Sequence, residues 1–167
     1  MNIQHTLKQL LATVLIALPV MAMAGVDTET DENYVILAGH DVVAYFTESK
    51  PVMGKAMFTA VHNDAIYQFS SAVNRDMFKK APSQYAPQYG GFCAYGVTLG
   101  QKFEVDGKAF EVVDGKLYVN KNLKVYEIWK KEIPANIKLA MVSTLGRQQS
   151  YKQALFMAKM NRYLISV

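Results

Sequence analysis

The alternation of apolar and polar residues divides the chain into a short apolar run, a patterned middle and a cationic end. Leu10–Val20 (LLATVLIALPV) is almost wholly apolar, follows a polar stretch carrying one cation, Lys8, and precedes the small-residue site Ala22-Met23-Ala24. These zones predict a secretory signal over residues 1–24, because a run of about 11 residues is well short of the roughly 20 that span a bilayer. Asp27–Asn33 is polar and acidic, so residues 25–33 read as a flexible leader. Val35–Leu37 suits a short strand, and Gly39-His40-Asp41 a turn before the apolar stretch Val42–Phe46.

The β-favouring runs Phe58–Val61 and Ile66–Phe69 flank Asn63-Asp64 and predict a hairpin. Ser70 or Ser71 caps a helix over Ala72–Lys80, with Val73, Met77 and Phe78 on its apolar face and Pro82 beyond its end. Ser83–Gly91, rich in Tyr, Pro and Gly, is a loop leading into Phe92–Gly96. Asp106-Gly107 and Asp114-Gly115 are tight-turn signals, and Phe110–Val113 and Lys116–Asn120 read as adjacent antiparallel strands. Asn122 caps a helix to about Lys131 with Val125, Ile128 and Trp129 as its stripe, and after Pro134 a short helix covers Ala135–Ala140. Short strands and helices are intermixed without regular strand–helix crossovers. The expected fold is α+β, a small antiparallel sheet with short helices packed against it.

Composition adds two constraints. The mature span from Gly25 is the size of one ordinary domain and needs no disulfide to hold a core, and its single cysteine, Cys93, has no intrachain partner. The net charge of +4 belongs to the ends rather than the core. All 14 acidic residues lie within Gly25–Met141, against 13 Lys and Arg there, a net of −1. The tail, residues 142–167, carries Arg147, Lys152, Lys159 and Arg162 with no acid. No basic stripe with interleaved aromatics crosses the core, which disfavours nucleic-acid binding. The tail also holds helix-forming residues, with Leu155, Met157 and Met160 among its apolar ones. It reads as a surface helix, a weak membrane-surface element or a poorly ordered appendage, the appendage being favoured.

Several motifs in order resemble those of stand-alone YHS domain proteins. They are Gly39-His40-Asp41-Val42-Val43-Ala44-Tyr45-Phe46, Ile66–Ser71 followed by Asn74–Phe78, Pro82–Ala94, Val113–Asn120, and Trp129 with Ile133-Pro134. The likeness covers residues 34–141. It implies a small α+β fold, company with metal-transport modules including copper-transporting ATPases, and no agreed enzymatic activity. Two departures matter. Gln68-Phe69 stands between Tyr67 and Ser70 where the named motif has His, and the additional cysteines of metal-associated versions are absent. The tail after Met141 lies outside the likeness.

A lone thiol sent to an oxidising compartment is buried, metal-bound or used. Gly90-Gly91 lets the backbone before Cys93 turn tightly, and a thiolate is a strong ligand for Cu(I) or Zn(II). Asp41 could orient the His40 imidazole or ligate beside it; in the plainer alternative Asp41 caps the following segment and His40 is exposed. His62 is expected exposed at a hairpin end. No His-x-His, Cys-x-x-Cys or His-Glu-x-x-His spacing occurs. The leading expectation is a non-enzymatic periplasmic or secreted module binding a soft transition metal, copper first, through Cys93 with His40 or Asp41. Its partner would be that ion or a protein, with no membrane span in the mature chain and no other cofactor. The alternatives are a metal-free structural or interaction domain using the aromatic loop, and a thiol redox protein.

Overall fold

The computed structural model of the protein describes residues 27–165, with side chains at all but position 151 and positions from 159 on. The signal segment expected over residues 1–24 lies outside these residues. The architecture is α+β: two antiparallel two-stranded sheets, each flanked by helices.

Two consecutive stretches of chain run through the same succession of elements. The first opens on a 3-10 turn, Ile36–Gly39, and continues through helix α1 (Ala44–Thr47) and the hairpin of β1 (Lys55–His62) and β2 (Ala65–Phe69). It ends in α2 (Ala72–Lys80) and α3 (Pro82–Tyr85). The second opens on a 3-10 turn, Gln88–Gly91, then α4 (Ala94–Thr98), β3 (Asp106–Val113), β4 (Lys116–Asn120), α5 (Leu123–Lys130) and α6 (Ile133–Ile165). The strands are 8 and 5 residues long in both hairpins, and the starts of β1 and β3, at positions 55 and 106, lie 51 positions apart, as do those of α2 and α5, at 72 and 123.

The agreement extends to backbone detail. Leu37 and Ala38 hold positive φ before Gly39 at +80°, and Tyr89 and Gly90 hold positive φ before Gly91 at +88°. Both hairpins shift register near the start of the long strand, between Lys55 and Thr59 and between Asp106 and Phe110. Each two-residue turn, Asn63-Asp64 and Asp114-Gly115, has positive φ at both positions, the backbone that matches the twist of a tight hairpin. Ser71 Oγ caps α2 by accepting from Asn74 N at 3.1 Å, and Asn122 Oδ1 caps α5 by accepting from Val125 N at 3.0 Å. Tyr67 on β2 packs against Phe78 of α2, ring centroids 4.5 Å apart, and Tyr118 on β4 packs against Trp129 of α5 at 5.5 Å. The larger core gathers Ile36, Val43, Phe69, Phe78, Leu117 and Val119; Ala94, Tyr118 and Trp129 form the smaller one.

Several expectations are corrected. Val35 makes only an isolated bridge to Ile66, and Ile36 and Leu37 enter the 3-10 turn instead of a strand. Val73 and Ile128 are exposed, because only Phe78 and Trp129 of the two predicted stripes face their hairpins fully. Asp106-Gly107 begins β3 at its irregular pairing, with Asp106 Oδ1 accepting from Lys108 N at 3.0 Å. The aromatic loop folds into α3 and the second 3-10 turn, burying Tyr85. His62 is half-buried against Tyr67 and Phe78.

The acidic leader is tied down as a strap. Glu29 N donates to Gly90 O at 2.8 Å, Thr28 Oγ1 donates to Asn63 O at 3.2 Å, and Lys102 pairs with Asp27. The helix expected over Ala135–Ala140 is the opening of the 33-residue α6. Pro134 sits in its first turn, where a missing N–H costs nothing.

Candidate functional site

The two repeated stretches place Asp41 and Cys93 at corresponding positions, each two residues past its 3-10 turn. Asp41 N donates to Val52 O at 2.8 Å, and Cys93 N donates to Phe103 O at 3.2 Å. Each side chain then caps the helix that follows, with different chemistry.

Asp41 is wholly buried, and its carboxylate accepts five hydrogen bonds. Oδ1 takes Val43 N at 2.9 Å and Ala44 N at 3.4 Å, closing the first turn of α1. Oδ2 takes Ser70 N at 2.8 Å, Ser70 Oγ at 2.7 Å and Asn74 Nδ2 at 2.7 Å, tying that turn to the start of α2. A buried carboxylate is tolerated when donors replace its water shell, and this one is surrounded by them. His40 is not exposed as the plainer alternative had it: the ring is buried, with Nδ1 at 2.9 Å from Leu37 O. None of the hydrogen bonds at Asp41 comes from the imidazole. The ring lies against Gly107 of β3, where an added Cβ would stand 2.4 Å from Nδ1, so glycine alone leaves it room. Tyr45 OH reaches the same residue, donating to Gly107 O at 2.7 Å. Burial, then Asp106 and Asp41 nearby, pushes the Tyr45 phenol well up.

Cys93 is 1 % exposed. Its Sγ accepts from Gly96 N at 3.4 Å, and its thiol donates to Asn120 Oδ1 at 3.7 Å. Asn120, at the end of β4 and fully buried, also accepts from Tyr95 N at 3.1 Å, while its Nδ2 has no partner. Among the described residues no group of three or more His, Cys, Asp and Glu side chains is placed to hold a metal ion together. Asp41 has its lone pairs engaged by protein donors, and Cys93 sits in a separate capping node with a carboxamide.

Two sites escaped the sequence reading. Glu29, on the strap, has its Oε2 buried without a partner. Burial pushes its carboxyl up to about 7, Glu104 and Asp31 adding to the rise against the Leu37 backbone bond, which lowers it. The other is a shallow cleft of about 390 Å³ between α1 and the β3–α5 layer, lined by Tyr45, Ser49, Lys108, Phe110, Glu111 and Tyr126. Tyr126 OH donates to Glu111 Oε2 at 2.5 Å, so burial and that carboxylate both push the phenol up. Neither was legible, because each depends on residues far apart in sequence.

The tail carries a run of exposed apolar side chains on one helix. α6 packs on α4 through its first turns, burying Asn136, which donates to Trp129 O at 2.8 Å, and Ala140. From Leu145 to Ala158 every side chain described is exposed, Leu145, Leu155, Phe156 and Met157 included. No helix among the described residues is long and apolar enough to cross a membrane. Compared with protein-family models, curated proteins and solved structures, the chain matches none.

Proposed function

We propose that the chain is a non-enzymatic exported interaction module, a duplicated α+β core that holds α6 out as its docking element. The observation that carries this reading is the exposed second half of α6, where large apolar side chains stand unpacked on a helix anchored at its first turns. An apolar surface of that kind on a soluble domain marks a contact site. It differs from the aromatic-loop docking expected from sequence in the element that makes the contact. A photo-reactive amino acid at position 145 or 156, in protein expressed in its native compartment, tests the reading. Cross-links are expected there and not from positions 61 or 73, apolar residues equally exposed on the core. Equal yields from all four positions, or none, overturn it.

A second reading retains Cys93 as a soft-metal ligand, as the YHS-like motifs suggest. The observation in its favour is that the Cys93 sulfur is held only by long contacts, 3.4 Å from Gly96 N and 3.7 Å to Asn120 Oδ1, which a metal–thiolate bond would outweigh. Anaerobic Cu(I) titration of the apo protein tests it. Stoichiometric binding that disappears in Cys93→Ser supports the ligand role, and equal binding by the variant sinks it.

A further inference from the structure

Resting on the docking role proposed for α6, we infer that its partner is an anionic phospholipid surface, met by a stripe of apolar residues and lysines along the helix. Met141, Leu145, Lys152 and Phe156 follow one another at spacings of 4, 7 and 4 residues, which places them on one side of an α-helix. Position 159 continues the same side, seven residues beyond Lys152. Ser143 and Arg147 lie on another side, close to Gly100 at the end of α4, so the stripe faces away from the domain. Met141, Leu145 and Phe156 are 53 %, 64 % and 60 % exposed. The projecting stretch from Leu145 to Ile165 runs about 30 Å, at roughly 1.5 Å per residue.

Charge selects the partner. From Ile133 to the end of the chain there are five cations, Lys138, Arg147, Lys152, Lys159 and Arg162, and no acid. A second copy of this helix would bring like charges together, with no carboxylate on either strand to offset them. A groove in a folded protein that took Leu145 and Phe156 would have to desolvate Lys152 between them. At a bilayer surface that conflict vanishes, because the lysine stem lies along the acyl boundary while its ammonium reaches lipid phosphate.

Co-sedimentation of the full-length mature protein with vesicles of 30 % phosphatidylglycerol in phosphatidylcholine tests the inference. Binding is expected at low salt, weakened at least tenfold on pure phosphatidylcholine and reversed by raised salt. Each cation removed by Arg→Gln or Lys→Gln at 147, 152, 159 and 162 is expected to weaken it about fivefold. Phe156→Ser with Leu145→Ser, both exposed and therefore harmless to folding, is expected to weaken it at least tenfold. Equal binding to neutral vesicles, no binding to anionic ones, or indifference to these substitutions overturns the lipid assignment. If vesicles fail while positions 145 and 156 cross-link to a protein, the lipid partner is wrong and the docking role stands. If both fail, both are wrong.

Discussion

Asp41→Asn tests whether the buried carboxylate holds α1 to α2, because the substitution keeps size and shape while removing the charge. In the native protein Oδ2 accepts from Ser70 N, Ser70 Oγ and Asn74 Nδ2, and Oδ1 accepts from Val43 N and Ala44 N. A carboxamide offers one acceptor oxygen, so whichever way it turns, its NH2 group faces donors. If the oxygen stays with α1, the three donors at Oδ2 lose their acceptor. The Ser70 hydroxyl can rotate to accept instead, and the Asn74 amide keeps its 3.3 Å bond to Ser70 Oγ or flips to accept, which leaves Ser70 N–H as the donor without an acceptor. Each buried donor so stranded costs about 1–3 kcal/mol. Ser70 is only partly buried, so the lower half of that range applies, and the total is about 1–2 kcal/mol. Cys93→Ser at the corresponding cap is expected to cost about 1 kcal/mol or less, since the hydroxyl replaces one long backbone contact and one weak thiol donation. Urea unfolding followed by far-UV circular dichroism reads both, with an unchanged m-value required for the comparison. If Asp41→Asn unfolds within about 0.5 kcal/mol of wild type, the five-donor node does not hold α1 to α2.

Glu29 gives a pH dependence whose sign follows from its raised folded value of about 7 against an ordinary 4.5. The folded state holds the proton more tightly, so the associated stability is fully present below pH 4.5 and is lost as pH rises towards 7. Wild-type stability relative to Glu29→Gln should therefore decline across that window, and a difference that is flat or rises there contradicts the strap. Gly107→Ala should destabilise by about 1–3 kcal/mol through overpacking against His40, read by the same urea titration. An alanine that is neutral there would mean the His40 ring is free to move. Cys93, at 1 % exposure, should react with a bulky maleimide only as fast as the protein opens, and labelling at the rate of a free peptide thiol would refute its burial.

Local chemistry carried much of the fold into the sequence. The caps Ser71 and Asn122, the hairpins around Asn63-Asp64 and Asp114-Gly115, and helix α2 over Ala72–Lys80 all rest on interactions within a few residues. The duplication did not show, since corresponding positions such as Phe69 and Asn120, or Asp41 and Cys93, differ in residue type. What repeats is backbone conformation: two positive-φ residues before a glycine, and a matching register shift. The capping role of Asp41 was legible as an alternative, because its α1 partners are two and three residues away. Its bonds to Ser70 and Asn74 were hidden, arising from residues 29 and 33 positions distant. Asn120 gave no signal as the partner of Cys93, 27 positions earlier. The length of α6 was hidden for the opposite reason. Pro134 reads as an ending when it stands in a first turn, and the polar stretch Gly146–Gln153 dilutes the helical period beyond it.

An isolated helix of about 20 residues is marginal in water, so a projecting α6 should keep its order only weakly until something covers it. Hydrogen–deuterium exchange of the purified protein, alone and with the envelope fraction of its own cells, follows that directly. Fast exchange is expected over residues 145–158 in the free protein, slow exchange over the first turns at 137–144, and new protection confined to 145–158 on adding envelope. Equal protection along the whole helix in the free protein, or new protection falling on the core while 145–158 stays unchanged, would contradict a docking role for α6.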